Sequence, residues 1–285
     1  MEDLIKKIQN MSLSKTDTKI AAYVCDHLDT IGLQTSTAMA EKIGVSDTSV
    51  VRFVRKLGFK GYIDFRSAMK ERILKKTKQE RQGLSPMEKY AKSKELLKRD
   101  SLISDVSSYT LDNLEKSFFA LDSSTLEQVV DILMKSDRKY IAGFRGTACC
   151  AQYMSSKLLF LTPNVMLITH ADATAAERLI DITERDCLFL YSFPLHSEIT
   201  KTLMDIAREN KAKIILMTDS PTSPLANKAD IVITARVDGL GFTNSYVAPL
   251  SLSELIILAV SSRCDETFSE RFNRIDTIMK KEKLY

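Results

Sequence analysis

The chain has few cysteines, and their pattern argues against two kinds of framework. There are five in 285 residues, an odd number. They show neither CxxC spacing nor a nearby histidine pattern: Cys25, Cys149, Cys150, Cys187 and Cys264. Disulfide scaffolds and zinc sites depend on such patterns. The sequence therefore predicts reduced thiols, no metal centre and no cofactor.

Long apolar runs are also missing. No run reaches the roughly 18 residues that a membrane-spanning helix needs. The first ten residues, MEDLIKKIQN, lack the uncharged apolar stretch of a signal peptide. We therefore expect a cytoplasmic protein without a membrane partner. With 285 residues, 44% of them hydrophobic, the chain can bury more than one core, since domains usually contain about 100 to 200 residues.

Positive charge is concentrated in the first third of the chain. Residues 1–82 hold 16 Lys and Arg against 10 Asp and Glu, a net charge of +6, which leaves −2 for the rest of a chain whose total is +4. This asymmetry is typical of a nucleic-acid-binding module attached to a near-neutral protein.

Two short helices separated by a glycine turn are predicted in this basic third. The segment QTSTAMAEKIGV predicts a helix that is capped by Thr35 or Ser36 and ended by Gly44. In SDTSVVRFVRKLGFKGY, Ser46 caps a second helix, whose apolar residues recur every three or four positions, and Gly58 ends it. Such a pair is typical of a helix-turn-helix, whose second helix enters the DNA major groove.

An amphipathic helix with a solvated charged face is the simpler alternative. The two caps around a turn of suitable length, and the small hydroxyl residues that begin the second helix, favour the helix-turn-helix. Lys60, beside a glycine, suits a phosphate oxygen. The predicted DNA-binding residues are Thr35, Ser46, Asp47, Thr48, Ser49, Arg52, Arg55, Lys56 and Lys60.

From residue 139 onward, short apolar runs alternate with helical segments. The runs are KYIAG, NVMLIT, CLFLYS, KIILMT and DIVITA. The helices predicted between them include 147–162 and 198–210. This alternation is typical of βαβ units in a parallel sheet that is covered on both faces. We predict a doubly wound α/β domain with five parallel strands, whose ligand site lies beyond their carboxyl ends.

Three loops after these strands carry hydroxyl groups at helix starts: GFRGTA, SFPLHSEIT and TDSPTSPLA. Helix N-termini favour negative charge, so the loops predict an anion site, although plain helix capping explains each loop equally well. The candidate effector-binding residues, with one from a later apolar helix, are Gly143, Arg145, Thr147, Ser192, His196, Ser197, Thr218, Ser220 and Glu254.

Most of residues 12–72 resembles the N-terminal domain of RpiR-type bacterial transcriptional regulators. The resemblance rests on G-V-S followed by V-R-F-x-[RK]-x-L-G-[FY]-x-G-[FY]. It implies that the second helix reads an operator, with Phe53 and Leu57 in the core. Residues 125–262 are similar to a sugar isomerase (SIS) domain, chiefly through TDSPTSPLANKAD.

The SIS-like loops depart from the family pattern in two places. Arg145 replaces the middle glycine of the first loop, and Pro194-Leu195 replaces the Ser-Gly of the second. Proline removes an NH and leucine adds bulk where the family binds phosphate. A carboxylate, or a displaced phosphate held by Arg145, is the expected ligand group.

A catalytic role is the less favoured alternative. Sugar-phosphate isomerisation needs a general base, for which His170, His196 and Glu254 are candidates, but no spacing ties them together. A DNA-binding half favours a sensor, so we predict no enzyme and no catalytic residues. A sugar-phosphate isomerase, or a SIS-fold metabolite binder that does not bind DNA, remains the alternative.

The predicted architecture has two domains. An all-α helix-turn-helix domain covers 1–76, a linker 77–105, and a SIS-like domain for effector binding and dimerisation 106–285. The predicted function is sequence-specific transcription regulation of carbohydrate metabolism. The predicted partners are a double-stranded DNA operator, a sugar phosphate or sugar acid as effector, and further copies of the chain in a homodimer or dimer of dimers.

Overall fold

The computed structural model describes residues 2–28, 30–69, 72, 84–94, 102–264 and 266–283. The chain divides into two compact units, Met1–Lys89 and Tyr90–Tyr285. The division falls within the predicted linker, of which residues 77–83 and 95–101 lie outside the described ones. No helix within the described ranges has the length and apolar content needed to cross a bilayer.

The first unit is helical. Its helices are α1 (Glu2–Gln9), α2 (Lys15–Asp26), α3 (Ser36–Ile43), α4 (Asp47–Lys56) and α5 (62–69). They pack around one apolar core, in which Ile20, Met39, Phe53 and Phe65 are fully buried. The predicted all-α class of this half is therefore confirmed.

The two helices of the predicted helix-turn-helix begin and end as the sequence indicates. Thr35 caps α3 by accepting a hydrogen bond from the NH of residue 38 at 3.1 Å, and Ser46 caps α4 through the NH of residue 49 at 3.2 Å. Gly44 and Gly58 follow the helices with φ of +73° and +90°. This left-handed conformation favours glycine and stops each helix.

The second unit contains a parallel sheet. Its helices are α6 (Pro86–Ser93), α7 (Leu102–Ala120), α8 (Ser123–Lys135), α9 (Ala148–Leu161), α10 (Ala173–Glu177), α11 (Glu198–Glu209), α12 (Val247–Ser262) and α13 (Glu266–Lys281). Its strands are β1 (Lys139–Gly143), β2 (Val165–Ile168), β3 (Cys187–Tyr191), β4 (Lys213–Thr218) and β5 (Ile231–Thr234). All four strand pairs are parallel, in the order β2-β1-β3-β4-β5.

Both faces of this sheet are covered. In β3, Phe189 packs with residues of α8, α9 and α12 on one face, whereas Leu188 packs with residues of α10 and α11 on the other. The predicted doubly wound fold with five parallel strands is confirmed. The strand order places β1, β3 and β4 side by side, so the three loops that follow them leave the same edge of the sheet.

Helix α8 begins at a capping aspartate. The Asp122 carboxylate accepts a hydrogen bond from the NH of Thr125 at 2.8 Å. Aspartate is among the side chains preferred at this position, because its oxygen satisfies an NH group of the first turn. The same bond helps to hold the pKa of Asp122 below its ordinary value.

Candidate functional site

Helix α4 has one buried face and one polar face. Val50, Phe53 and Val54 point into the core. On the other side the predicted DNA-binding residues Asp47, Thr48, Arg52 and Arg55 are exposed, and Ser49 is half-buried. Neither guanidinium has an ion-pair partner within the described part of the chain. Both are therefore available to a phosphate or to a base edge.

The hydroxyl groups at the front of the helix-turn-helix already have partners. Besides its bond to the NH of residue 49, the Ser46 hydroxyl lies 2.8 Å from that of Ser49. The Thr35 hydroxyl is used as the cap of α3. A hydroxyl can both donate and accept, so these groups fix the start of each helix and keep some capacity for a further contact.

Two lysines hold α4 in place, and the sequence pattern identified neither in this role. The Lys56 ammonium lies 2.7 Å from a carboxylate oxygen of Asp17 in α2, a side chain that is only 1% exposed. Lys7 donates a hydrogen bond to the carbonyl of Leu57 at 2.8 Å, just beyond α4. A DNA contact from Lys56, as predicted, requires its ion pair to be shared or broken.

Lys60 keeps an exposed side chain, but its backbone is occupied. Its NH donates to a carboxylate oxygen of Asp64, in the first turn of α5, at 2.8 Å. A phosphate contact at this position therefore depends on the ammonium group alone.

The first ligand loop turns tightly between β1 and α9. The Thr147 hydroxyl donates to the carbonyl of Phe144 and accepts from its NH, each at 2.8 Å. A Cβ on Gly143 would lie 2.6 Å from the carbonyl oxygen of Thr147, so glycine is required there. The Thr147 hydroxyl thus closes the loop rather than facing a ligand. Arg145 is exposed, with φ of +54°.

His196 joins the second and third loops. Its Nδ1 lies 2.7 Å from the Ser192 hydroxyl, and its Nε2 lies 3.4 Å from that of Ser223. Burial lowers the pKa of His196, which favours the neutral ring, with one nitrogen donating and the other accepting. The structure therefore brings Ser192 and His196 together and adds Ser223 to them.

The remaining effector candidates are dispersed. Ser197 precedes α11 but bonds the hydroxyl of Thr200, at 3.0 Å. Ser220 bonds the hydroxyl of a residue in its own loop at 2.8 Å. Thr218 is fully buried and Glu254 is exposed on α12. The position of Thr218 disfavours direct ligand contact, since its side chain has no exposed surface.

The sequence pattern did not identify Tyr246, which precedes α12. Its ring packs against Gly146 of the first loop, a hundred residues earlier in the chain. A lone tyrosine at a helix start carries no pattern that could have placed it there.

Comparisons with known proteins agree for both halves of the chain. Residues 2–76 match the helix-turn-helix domain of the rpiR family, and residues 132–259 match the SIS domain. The HTH-type transcriptional regulator HexR of Escherichia coli strain K12 is 25% identical over 295 aligned positions, which cover 99% of this chain and 96% of HexR.

Two solved structures share the fold. The sugar isomerase domain of an RpiR transcription factor from Sphaerobacter thermophilus has a TM-score of 0.60 and 21% identity, over 62% of this chain and 99% of that one. The Vibrio vulnificus NanR protein, solved in complex with ManNAc-6P, has a TM-score of 0.55 and 17% identity, over 97% of each chain. The chain therefore combines a helix-turn-helix domain of the rpiR family with a SIS domain, and over its length it is similar to HTH-type transcriptional regulators.

Proposed function

We propose that this regulator binds an operator through α4, and that an anionic sugar derivative at the carboxyl edge of the sheet controls the binding. The proposed DNA binding rests on the exposed face of α4. Arg52 and Arg55 lie one turn apart on that face, and arginine is the side chain that most often reads guanine in the major groove. Short hydroxyl residues at the front of the helix suit close approach to the backbone.

The effector edge supports an anionic ligand. Arg145 supplies an exposed positive charge there, and α11 begins at the same edge of the sheet without a side-chain cap on its NH groups. Helix NH groups and a guanidinium both favour phosphate or carboxylate. The NanR protein was solved with a sugar phosphate, which supports this class of ligand for a SIS domain.

Two departures in the loops favour a sugar acid or a displaced phosphate. Leu195 adopts φ of +74° and its side chain is 64% exposed beside the start of α11. Its bulk, and the NH missing at Pro194, reduce the space and the donors for a phosphate at the helix start.

We infer that the second domain senses its ligand without converting it. HexR carries the name of a regulator, although the Sphaerobacter structure is described as a sugar isomerase domain. No hydrogen bond between described residues joins any two of His170, His196 and Glu254, and His196 instead contacts the hydroxyls of Ser192 and Ser223. Incubation of the protein with hexose phosphates should therefore yield no isomer. Isomerisation by the unaltered chain that is lost in the Glu254→Gln variant would favour the isomerase instead.

Operator discovery tests the proposed function. Genomic DNA retained on the purified protein would be sequenced, alongside DNA retained on the Arg52→Ala variant. We expect one recurrent motif, with two half-sites about one helical turn or a multiple of it apart, because one small head contacts few base pairs and a homodimer would present two. The variant should lose this enrichment. Equal recovery of unrelated sequences by both proteins would contradict sequence-specific binding.

A further inference from the structure

Tyr246 lies on the first loop of the effector edge. A Cβ built on Gly146 would be 2.7 Å from Tyr246 Cε2 and 2.8 Å from its hydroxyl oxygen, both shorter than real contacts. Only glycine therefore fits at position 146 while the ring keeps its place. The polar end of the ring reaches the loop beside Arg145.

The same ring also contacts the second loop. The ring centroids of Tyr246 and Phe193 are 5.9 Å apart, with the rings inclined at 56°. Phe193 is buried two residues after β3. Since β1 and β3 are neighbours in the sheet, Tyr246 bridges the two loops over which the proposed effector binds.

Hydrogen bonds anchor the chain on both sides of this tyrosine. Before it, Asn113 and Ser117 of α7 bond the backbone of residues 238 and 236, at 2.6 and 2.8 Å. After it, the Ser253 hydroxyl of α12 lies 2.6 Å from the Tyr191 hydroxyl of β3. A side chain whose supports are fixed is preorganised for ligand binding.

The tyrosine presents a group that a sugar could use. Its side chain is half-buried, so part of the ring remains accessible. Burial raises the pKa of the phenol, although the hydrogen bond with the Asn244 side chain and the charge of Arg145 act to lower it. The hydroxyl therefore keeps its proton at neutral pH and can donate it to a ligand oxygen.

We propose that Tyr246 is a specificity-determining residue of the effector site, contacting the hydroxyl-bearing carbon chain of the effector while Arg145 holds its anionic group. This inference rests on the proposed function, which places the effector at this edge. It predicts that Tyr246 distinguishes sugar derivatives from simple anions, whereas Arg145 acts on both.

Calorimetric titration of the full chain tests the inference. The probes are inorganic phosphate and a panel of sugar phosphates and sugar acids that includes glucose 6-phosphate and 6-phosphogluconate. For those sugar derivatives that bind the unaltered chain, Tyr246→Phe should lower the affinity by about 3- to 10-fold, which corresponds to the loss of one hydrogen bond. The affinity for inorganic phosphate should stay unchanged. Tyr153→Phe, a half-buried tyrosine of α9, is the matched control and should bind as the unaltered chain does.

The outcomes separate this inference from the function on which it rests. Suppose that Arg145→Ala weakens the binding of every probe, whereas Tyr246→Phe changes no affinity or weakens the binding of phosphate as much as that of the sugar derivatives. Tyr246 then does not set specificity, and the proposed effector site is retained. If Arg145→Ala changes nothing, or no probe binds the unaltered chain, the proposed effector site itself is overturned.

Discussion

At the scale of a single residue, substitution of Arg52 tests whether α4 recognises bases of the operator. Arg52 is exposed on α4 within the described chain, and a side chain on a base edge contributes about 1 to 3 kcal/mol of discrimination. Arg52→Ala should therefore weaken operator binding by about 5- to 150-fold and change binding to random DNA little, as measured by fluorescence anisotropy. Equal losses on both DNAs would assign Arg52 to the phosphates.

Lys60→Ala is the matched control for this measurement. Its exposed ammonium is expected to contact phosphate, so both DNAs should bind more weakly to a similar degree. The slope of log affinity against log salt should fall by about one. An unchanged slope would remove Lys60 from the interface.

The Lys56–Asp17 pair gives a second prediction at this scale, concerning stability. Asp17 is buried whereas the Lys56 side chain is 43% exposed. Lys56→Met leaves a buried carboxylate without its cation, whereas Asp17→Asn leaves an ammonium that water can reach. Lys56→Met should therefore lower the free energy of unfolding by about 3 kcal/mol, and Asp17→Asn by about 1 to 2 kcal/mol. Urea denaturation measures both, and the opposite ranking would contradict the account.

The pair also sets a pH dependence. The Lys56 hydrogen bond is the largest cause lowering the pKa of Asp17 from 3.8. A carboxyl with a lowered pKa in the folded state stabilises the fold above the unfolded pKa, and this contribution is lost as pH falls below about 4. The stability difference between the unaltered chain and Asp17→Asn should shrink over that acidic range.

At the scale of single elements, the loop between β3 and α11 holds an unusual backbone. Leu195 has φ of +74°, a conformation that costs a residue with a Cβ about 1 to 2 kcal/mol. Leu195→Gly removes the whole side chain and with it this strain. Leu195→Ala removes the side chain beyond the Cβ and keeps the strain. The glycine variant should be the more stable by about 1 kcal/mol in urea denaturation. Equal stabilities would show that the loop is not strained.

Elements that depend on local pattern were predicted well from the sequence. The run KYIAG corresponds to β1 and KIILMT to β4 at both ends. The caps Ser46 and Gly58 bound α4 because capping depends on neighbouring residues alone.

Contacts between distant parts of the chain could not be predicted in this way. Asp17 and Lys56 are 39 residues apart, and Gly146 and Tyr246 are a hundred. Such pairs follow from helix packing and strand order, which periodicity does not encode. Thr147 illustrates the converse limit, because its type and position suggested a ligand contact while its hydroxyl closes a turn.

At the scale of the whole molecule, the proposal joins two compact units that carry different chemistry. The first has an exposed basic helix face that is proposed to bind DNA, and the second has the edge of the sheet at which an anionic effector is proposed to bind. A ligand shifts the DNA-binding equilibrium only by its differential affinity for the DNA-bound and free states. The two sites must therefore be coupled, and a substitution at the effector edge should uncouple them without touching the DNA contacts.

The most direct test is an operator titration, with and without the effector, on the unaltered chain and on Arg145→Ala. Arg185→Ala, an exposed arginine at the opposite edge of the sheet, is the matched control. We expect the effector to change operator affinity of the unaltered chain and of Arg185→Ala alike. Arg145→Ala should keep the effector-free operator affinity and lose the response. A full response from Arg145→Ala would contradict the account.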